Sequence, residues 1–310
     1  MTGVRRVGID VGGTKCLGVV LDADGAVIEE RRVPTPKGPD AIIEAIAGLV
    51  ESFAPFDHVG LGVPGLVTRA GVVLASPNLV DINHFQVGRL VSERLGVTVH
   101  VDNDATCAAA AEWMVGAGRG TNDFVMVTLG TGIGGGLVVG GRLARGRNGF
   151  AGEIGHMVLD PDGPPCPCGQ NGCWERYASG SGLGRLAREA AVGRRLERVV
   201  ALAGGDAERV RGEDVQAAAS EGDIDALQVI DDFGRWVALG LANLTNLLDP
   251  DMIVLGGGLA SSPELYLAPI QRWFSTLLYA PELRPHPRLE FAQLGAHAGA
   301  VGAALLHALH

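Results

Sequence analysis

Two stretches of this chain, VGIDVGGTKCLGVVL (residues 7–21) and VMVTLGTGIGGGLVV (125–139), superpose without gaps at a constant offset of 118 residues. Asp10 falls opposite Thr128, Gly12 opposite Gly130, and Gly18 opposite Gly136. Each stretch reads as a strand, a glycine turn and a second strand. A strand–turn–strand unit repeated at this distance predicts two related halves facing a shared cleft. The length of 310 residues agrees, because a single core rarely serves more than roughly 100–200 residues.

Between and after the repeats, helical and strand patterns alternate. Asp40–Phe53 has helical apolar spacing, and Val59–Val63 reads as a buried strand ending at Pro64-Gly65. Val97–Val101 is a further strand, followed from Asn103 by an alanine-rich helix through Val115. Gly182–Ala191, Val215–Ala219 and Ile230–Leu248 read as helices, and Ile253–Leu255 as a strand running into Gly256-Gly257-Gly258. The small residues of Ala296–Leu309 suit a helix that packs closely on its neighbours. The pattern is that of an α/β protein.

Composition excludes several classes. The formal net charge of -10 argues against a nucleic-acid surface, which needs clustered positive charge. No apolar run approaches the ~18 residues of a membrane span. The opening MTGVRRVGIDVGG holds no signal-peptide core, so a cytoplasmic location without membrane association is expected.

A Walker A loop needs Gly-Lys before Ser or Thr. The lysines, Lys15 and Lys37, follow Thr14 and Pro36, so that phosphate loop is absent. The spacing G-x-G-x-x-G does occur at Gly130, Gly132 and Gly135. A strand follows it where a dinucleotide fingerprint demands a helix, which disfavours nicotinamide. Glycine hairpins hold phosphates in another way, since successive backbone N–H groups in a tight turn form an anion-binding concavity. Gly12, Gly13, Thr14 and Lys15 in one turn, Thr131 and Gly132 in the second, and Gly257 and Gly258 in a third suit a nucleoside triphosphate. Asp10, closing the first strand, would hold Mg²⁺ directly or through water.

Three of the five cysteines lie in CPCGQNGCWE, at 166, 168 and 173. Residues two apart rarely meet disulfide geometry. Three thiolates this close suit a closed zinc site wanting a fourth N or S ligand, for which His156 is the only histidine between His100 and His286. An iron–sulfur centre or redox thiols are the alternatives. Cys16 and Cys107 read as buried small apolar residues.

Together, DVGGTK (10–15), DNDA (102–105), GTGIGGG (130–136), GEIGH (152–156) and CPCGQNGCWE (166–175) resemble the signatures of the ROK family of repressors, open reading frames and sugar kinases, most closely its bacterial ATP-dependent glucokinases. The motifs stand in family order and span essentially the whole chain. The resemblance implies a hexokinase/actin-like ATPase (ribonuclease H-like) fold with the sugar and Mg-ATP meeting in a cleft between two α/β domains. One would comprise residues 1–105 plus 298–310, the other 106–297. It implies ATP-dependent phosphorylation of glucose at the 6-hydroxyl, with Gly65, Asn78, Asn103, Asp104, Glu153, His156 and Glu175 binding the sugar and Asp104 as base. Structural zinc would be held by His156, Cys166, Cys168 and Cys173, clamping a loop whose His156 and Glu175 face the sugar. It further implies a homodimer or homotetramer.

Phosphoryl transfer asks the protein mainly for positioning and charge neutralisation. Asp104 opens the alanine-rich helix, where the macrodipole favours its ionised form; Asn103 or Asp104 could equally serve as the N-cap, and both roles can coexist. Asp102 reads as a polar strand-end residue. The chain departs from the family at Thr106, where asparagine is common, and in VDINHF (80–85), where glucokinases often continue toward a tryptophan. The second departure bears on the choice of sugar more than on the reaction. Rivals are a ROK kinase for N-acetylmannosamine, N-acetylglucosamine or fructose, a polyphosphate-dependent relative, and a silent sugar sensor. A ROK repressor would need a helix-turn-helix ahead of Asp10, where only nine residues stand.

Overall fold

The computed structural model describes residues 4–192 and 196–309. Its first half comprises β1 (Arg6–Val11), β2 (Lys15–Leu21), β3 (Val27–Pro34), α1 (Pro39–Glu51), β4 (His58–Val63), β5 (Leu66–Val67), β6 (Val73–Ala75), β7 (Asn83–Phe85), α2 (Val87–Leu95), β8 (Val99–Asn103) and α3 (Asp104–Val115). There follow β9 (Phe124–Leu129), β10 (Ile133–Val139), β11 (Arg142–Leu143), α4 (Glu175–Ala178), α5 (Gly180–Ala191), α6 (Glu197–Leu202), α7 (Gly212–Ser220) and α8 (Ile224–Leu248). The chain closes with β12 (Met252–Gly256), α9 (Pro263–Leu277), β13 (Arg288–Phe291) and α10 (Ala298–Leu305).

Two five-stranded sheets run in the orders β3-β2-β1-β4-β8 and β11-β10-β9-β12-β13, and a three-stranded one in the order β5-β6-β7. The repeat read in the sequence is therefore built twice. Gly12 N–H donates to the Lys15 carbonyl (3.0 Å) to close the first turn, and Gly130 N–H donates to the Gly132 carbonyl (3.0 Å) to close the second. In the first sheet β1 pairs antiparallel with β2 and parallel with β4, which pairs parallel with β8. In the second, β12 and β13 are parallel. The interior residues of β1, β4 and β12 are buried almost throughout, as expected for strands covered on both faces. The edge strand β3 carries Glu29, Glu30, Arg31 and Arg32, charges that discourage pairing with another chain.

The chain divides into two compact units: Met1–Met126 with Gly135–Gly152 and Ala292–His310, and Val127–Gly134 with Glu153–Phe291. Strands β9 and β10 each pass from one unit into the other. In the first unit α10 lies against β1 and β4 at backbone distance. A Cβ on Gly8 would stand 1.9 Å from the Ala300 carbonyl oxygen, and one on Gly60 would stand 1.9 Å from that of Ala303. The small residues of this helix thus serve a close approach, as their composition suggested. The helix is shorter than the pattern indicated, because single 3-10 turns at Gly295–His297 and Leu306–Ala308 flank it. Helices α2 and α9 and the small sheet add to the elements expected from the sequence. In α9, Pro269 sits inside the helix and packs against Gly234 of α8, where a Cβ would meet it at 2.9 Å.

The contact predicts opposite outcomes for two glycine substitutions. Gly60→Ala should destabilise the protein by at least about 1–3 kcal/mol, the usual cost of overpacking. Gly48→Ala, exposed in α1 with nothing within 4 Å of the added methyl, should stabilise it by roughly 0.5–1 kcal/mol. Urea unfolding midpoints of the two variants decide the matter. Equal effects would mean that α10 does not sit on β4 at this distance.

Candidate active site

In the first unit the site begins where β1 ends. Asp10 occupies the penultimate position of β1, and the turn Gly12–Lys15 follows it. Thr35 donates twice into this turn, its Oγ1 to the Gly12 carbonyl (2.6 Å) and its N–H to the Thr14 carbonyl (3.0 Å). Asn78 lies beside it: a Cβ on Gly13 would be 2.8 Å from the Asn78 carbonyl oxygen. Asn103 and Asp104 stand at the junction of β8 and α3. Asn103 is the N-cap of α3, its Oδ1 accepting from the N–H groups of Ala105 (2.9 Å) and Thr106 (3.1 Å). Its Nδ2 donates to the Gly65 carbonyl (3.1 Å), so capping and the attachment of Gly65 share one side chain. Gly65 itself has φ +110° and sits against the Ala75 carbonyl, 2.2 Å from where a Cβ would be, a place open only to glycine.

Asp104 is left with its carboxyl beside that of Asp10. Burial pushes the Asp104 pKa up, and the Ala105 N–H offsets this only in part. The helix end was expected to keep Asp104 ionised; desolvation outweighs it. A raised value moves the group toward the neutral range, where a general base works best. Asp10 is pushed up to about 7, by burial first and by the charge of Asp104 second, while Lys15 pulls the other way. The charge of Asp104 thus raises Asp10, whereas the rise at Asp104 itself comes from burial.

Asp102 is more than a polar strand end. It is buried, and Arg145 Nε donates to its Oδ2 at 2.5 Å, while its Oδ1 accepts from Asn103 N–H (2.9 Å). Arg145 also donates to the Leu309 carbonyl (3.1 Å). The pair thus holds the residue before Asn103 and Asp104. Sequence reasoning passed over Arg145, whose only signal is a charge 43 positions from its partner.

The second unit assembles the other residues. Glu175 opens α4, and its Oε2 accepts from Ile133 N–H at 2.7 Å, just past Thr131 and Gly132. Gly155, between Glu153 and His156, lies on the other side of the same residue, where a Cβ would be 2.4 Å from the Ile133 carbonyl. Gly257, with φ +82°, lies against the Leu129 backbone at 2.6 Å from its would-be Cβ, and Gly258 follows it at the start of a 3-10 turn. The second and third glycine loops are therefore neighbours.

His156, Cys166, Cys168 and Cys173 converge, with one ligand atom from each lying within 4.8 Å of the others. Cys168 Sγ and Cys173 Sγ are 3.6 Å apart, and Cys166 Sγ is 3.8 Å from His156 Nδ1. Ligands 2.3 Å from a tetrahedral zinc stand about 3.8 Å from one another, so the four fit that ion. Burial and the two neighbouring sulfurs push Cys173 up to about 12, whereas the Gln170 N–H draws Cys168 down. A cation is what would make thiolates of all three. Cys16 and Cys107 are buried and are not members of this group.

Comparison with known proteins adds four findings. A family model described as ROK family matches residues 6–309. A glucokinase of Streptomyces coelicolor is 40% identical over 305 residues, covering 96% of each chain. Among solved structures, a ROK family glucokinase from Streptomyces griseus in complex with glucose and AMPPNP superposes with a TM-score of 0.85 at 39% identity, covering 97% of this chain and 98% of that one. A ROK hexokinase from Thermus thermophilus superposes at 0.82 with 36% identity, covering 97% of each. The fold is thus the hexokinase/actin-like ATPase fold.

Asp10 yields a pH prediction. Its folded pKa lies above the unfolded value, so its contribution to stability is complete below about pH 4 and is lost as pH rises toward 7. Without divalent cation or nucleotide, wild type should lose urea stability across that interval. Asp10→Asn should flatten the slope. Identical slopes in both proteins would show that Asp10 does not titrate in this range.

Proposed function

The chain belongs to the ROK family, and from that membership we propose that it is a glucokinase, transferring the γ-phosphoryl group of ATP to the 6-hydroxyl of glucose. The observation that carries the reading is the match, over 97% of this chain, to a ROK glucokinase solved with glucose and AMPPNP. The local geometry supports it. Asp104 has the raised pKa of a working base, and Asn103, fixed by the helix it caps, would orient the sugar beside it. Gly65, Asn78, Glu153, His156 and Glu175 would complete the sugar site, offering donors and acceptors to vicinal hydroxyls. The three glycine turns would receive the nucleotide phosphates on backbone N–H groups.

In the reaction Asp104 accepts the proton of the 6-hydroxyl as that oxygen forms its bond to the γ-phosphorus. The bond from phosphorus to the bridging oxygen breaks and ADP leaves. Asp104 then releases its proton to solvent. Mg²⁺ bound with ATP near Asp10 would neutralise charge on the phosphates. Lys15 would add to that neutralisation, and Thr14 and Thr131 would offer hydroxyls. His156, Cys166, Cys168 and Cys173 would hold a structural zinc that takes no part in the chemistry but fixes the loop bearing Glu175.

The functional division we propose keeps residues 1–105 with 298–310 as one domain and 106–297 as the other. Among the described residues no helix is long and apolar enough to cross a membrane; a cytoplasmic homodimer or homotetramer is the form we expect.

ADP release from Mg-ATP, measured over glucose, mannose, fructose, N-acetylglucosamine and N-acetylmannosamine, tests the reading. Glucose should be preferred, and Asp104→Asn should lower kcat by about 10²–10⁴-fold with little change in KM. Preference for an N-acetylated sugar would keep the mechanism and replace the substrate. No turnover by folded protein would sink the enzyme reading. Metal analysis supplies a separate check: about one zinc per chain is expected in wild type, and Cys168→Ser should lose it with a fall in Tm. Full-length protein purified without zinc, yet equally stable, would refute the structural role.

A further inference from the structure

One acidic side chain reaches from the cysteine loop to a glycine turn. Trp174, directly after Cys173, is fully buried, and its Nε1 donates to the Trp236 carbonyl in α8 (2.9 Å). Its ring fills the space above Gly240 of that helix, where a Cβ would be 2.0 Å from a ring carbon. This plug fixes where α4 begins and hence where Glu175 points. From there Glu175 Oε2 accepts from Ile133 N–H at 2.7 Å. The fit is tight, because a Cβ on Gly132 would stand 2.3 Å from the same oxygen.

The next residues repeat the attachment. Ser179 Oγ, buried, donates back to the Glu175 carbonyl (2.7 Å) and accepts from Gly182 N–H (3.1 Å), locking the link between α4 and α5. Gly180 N–H donates to the Gly130 carbonyl (2.8 Å), and Ser181 Oγ donates to the Thr131 carbonyl (2.9 Å). Three successive residues of the turn, together with Ile133, are therefore approached or held from the segment 175–181. A glycine turn has little stiffness of its own, so its shape is set by what grips it.

We propose that Glu175 is a positioning residue for the nucleotide turn 130–133, in addition to any contact with sugar, with Ser181 assisting it. The proposal rests on the glucokinase reading for the identity of the nucleotide and on the hydrogen bonds above for the positioning. A carboxylate accepting a backbone N–H makes a charge-assisted bond, stronger than the neutral kind. Losing it frees the turn and leaves the phosphates to pay for its ordering. A group that both touches sugar and shapes the nucleotide turn would also couple the two affinities reciprocally.

The decisive experiment is AMPPNP binding by calorimetry in the absence of sugar, using full-length wild type, Glu175→Ala, Glu175→Gln and Ser181→Ala. Hydrogen exchange at the Ile133 amide accompanies it. Glu175→Ala should weaken AMPPNP by about tenfold and speed exchange at Ile133. Glu175→Gln keeps an oxygen that accepts the N–H, so its AMPPNP affinity should stay within about threefold of wild type while sugar affinity falls. Ser181→Ala should weaken AMPPNP by roughly two- to threefold without affecting sugar. A Glu175→Ala protein that retains wild-type Tm, AMPPNP affinity and amide exchange would overturn the proposal alone. Wild type that binds no AMPPNP would remove the kinase reading and this proposal together.

Discussion

The approach of α10 to the first sheet is the contact on which the first unit's chemistry depends. Gly8 in β1 and Gly60 in β4 admit the helix backbone, and Gly302 of the helix meets the Cys107 carbonyl in α3, 1.7 Å from where a Cβ would lie. One small-residue helix thereby registers β1, β4 and α3 against each other. Asp10 stands near the end of the first of these elements and Asp104 at the start of the last. Their separation is set by backbone packing, which is stiffer than any pair of side chains. Even the face of Asp10 is shaped this way, since Gly299 of α10 leaves only 2.9 Å between its would-be Cβ and the Asp10 carboxyl carbon.

Such packing has an electrostatic consequence. Burial raises both Asp10 and Asp104, whereas Asp102, one residue before Asn103, is paired with Arg145. Three aspartates within one region thus meet different fates. The paired one anchors the strand end, and the other two keep raised pKa values. A buried ion pair is a poor source of net stability, but it is well suited to holding a strand end in one register. The bond from Asn103 N–H to Asp102 shows where that rigidity is delivered.

Much of this was legible before the structure, for physical reasons. The two hairpins were readable because apolar strands flanking glycine turns leave a strong local pattern, and the sheets bear out the repeat strand by strand. The cysteine cluster could be assigned a fourth partner because histidine is scarce between residues 100 and 286, and His156 does lie among the three sulfurs. Contacts that depend on tertiary closure were not legible. Arg145 lies 43 residues from Asp102, and Glu175 lies 42 residues from Ile133; neither spacing has a period to betray it. The direction of the Asp104 shift was also hidden. A helix N-terminus can be read locally, but the desolvation that overrides it comes from elements distant in sequence. Likewise α9, interrupted by Pro269, offered a breaker where the fold supplies a helix.

The repeated hairpin ends with two turns of different chemistry. Opposite Asp10 stands Thr128, whose Oγ1 accepts from Gly134 N–H at 3.1 Å. The hydroxyl is spent inside its own hairpin, stapling the turn and adding no charge. The first turn instead keeps its carboxylate and is tied from outside by Thr35. The two hairpins thus share one frame, and the first carries a carboxylate where the second carries a hydroxyl. The second turn then needed a carboxylate from elsewhere to hold it, and Glu175 supplies it from the segment that follows the cysteines. Glu175 stands two positions after Cys173, so the segment in which His156, Cys166, Cys168 and Cys173 converge leads directly into that reach.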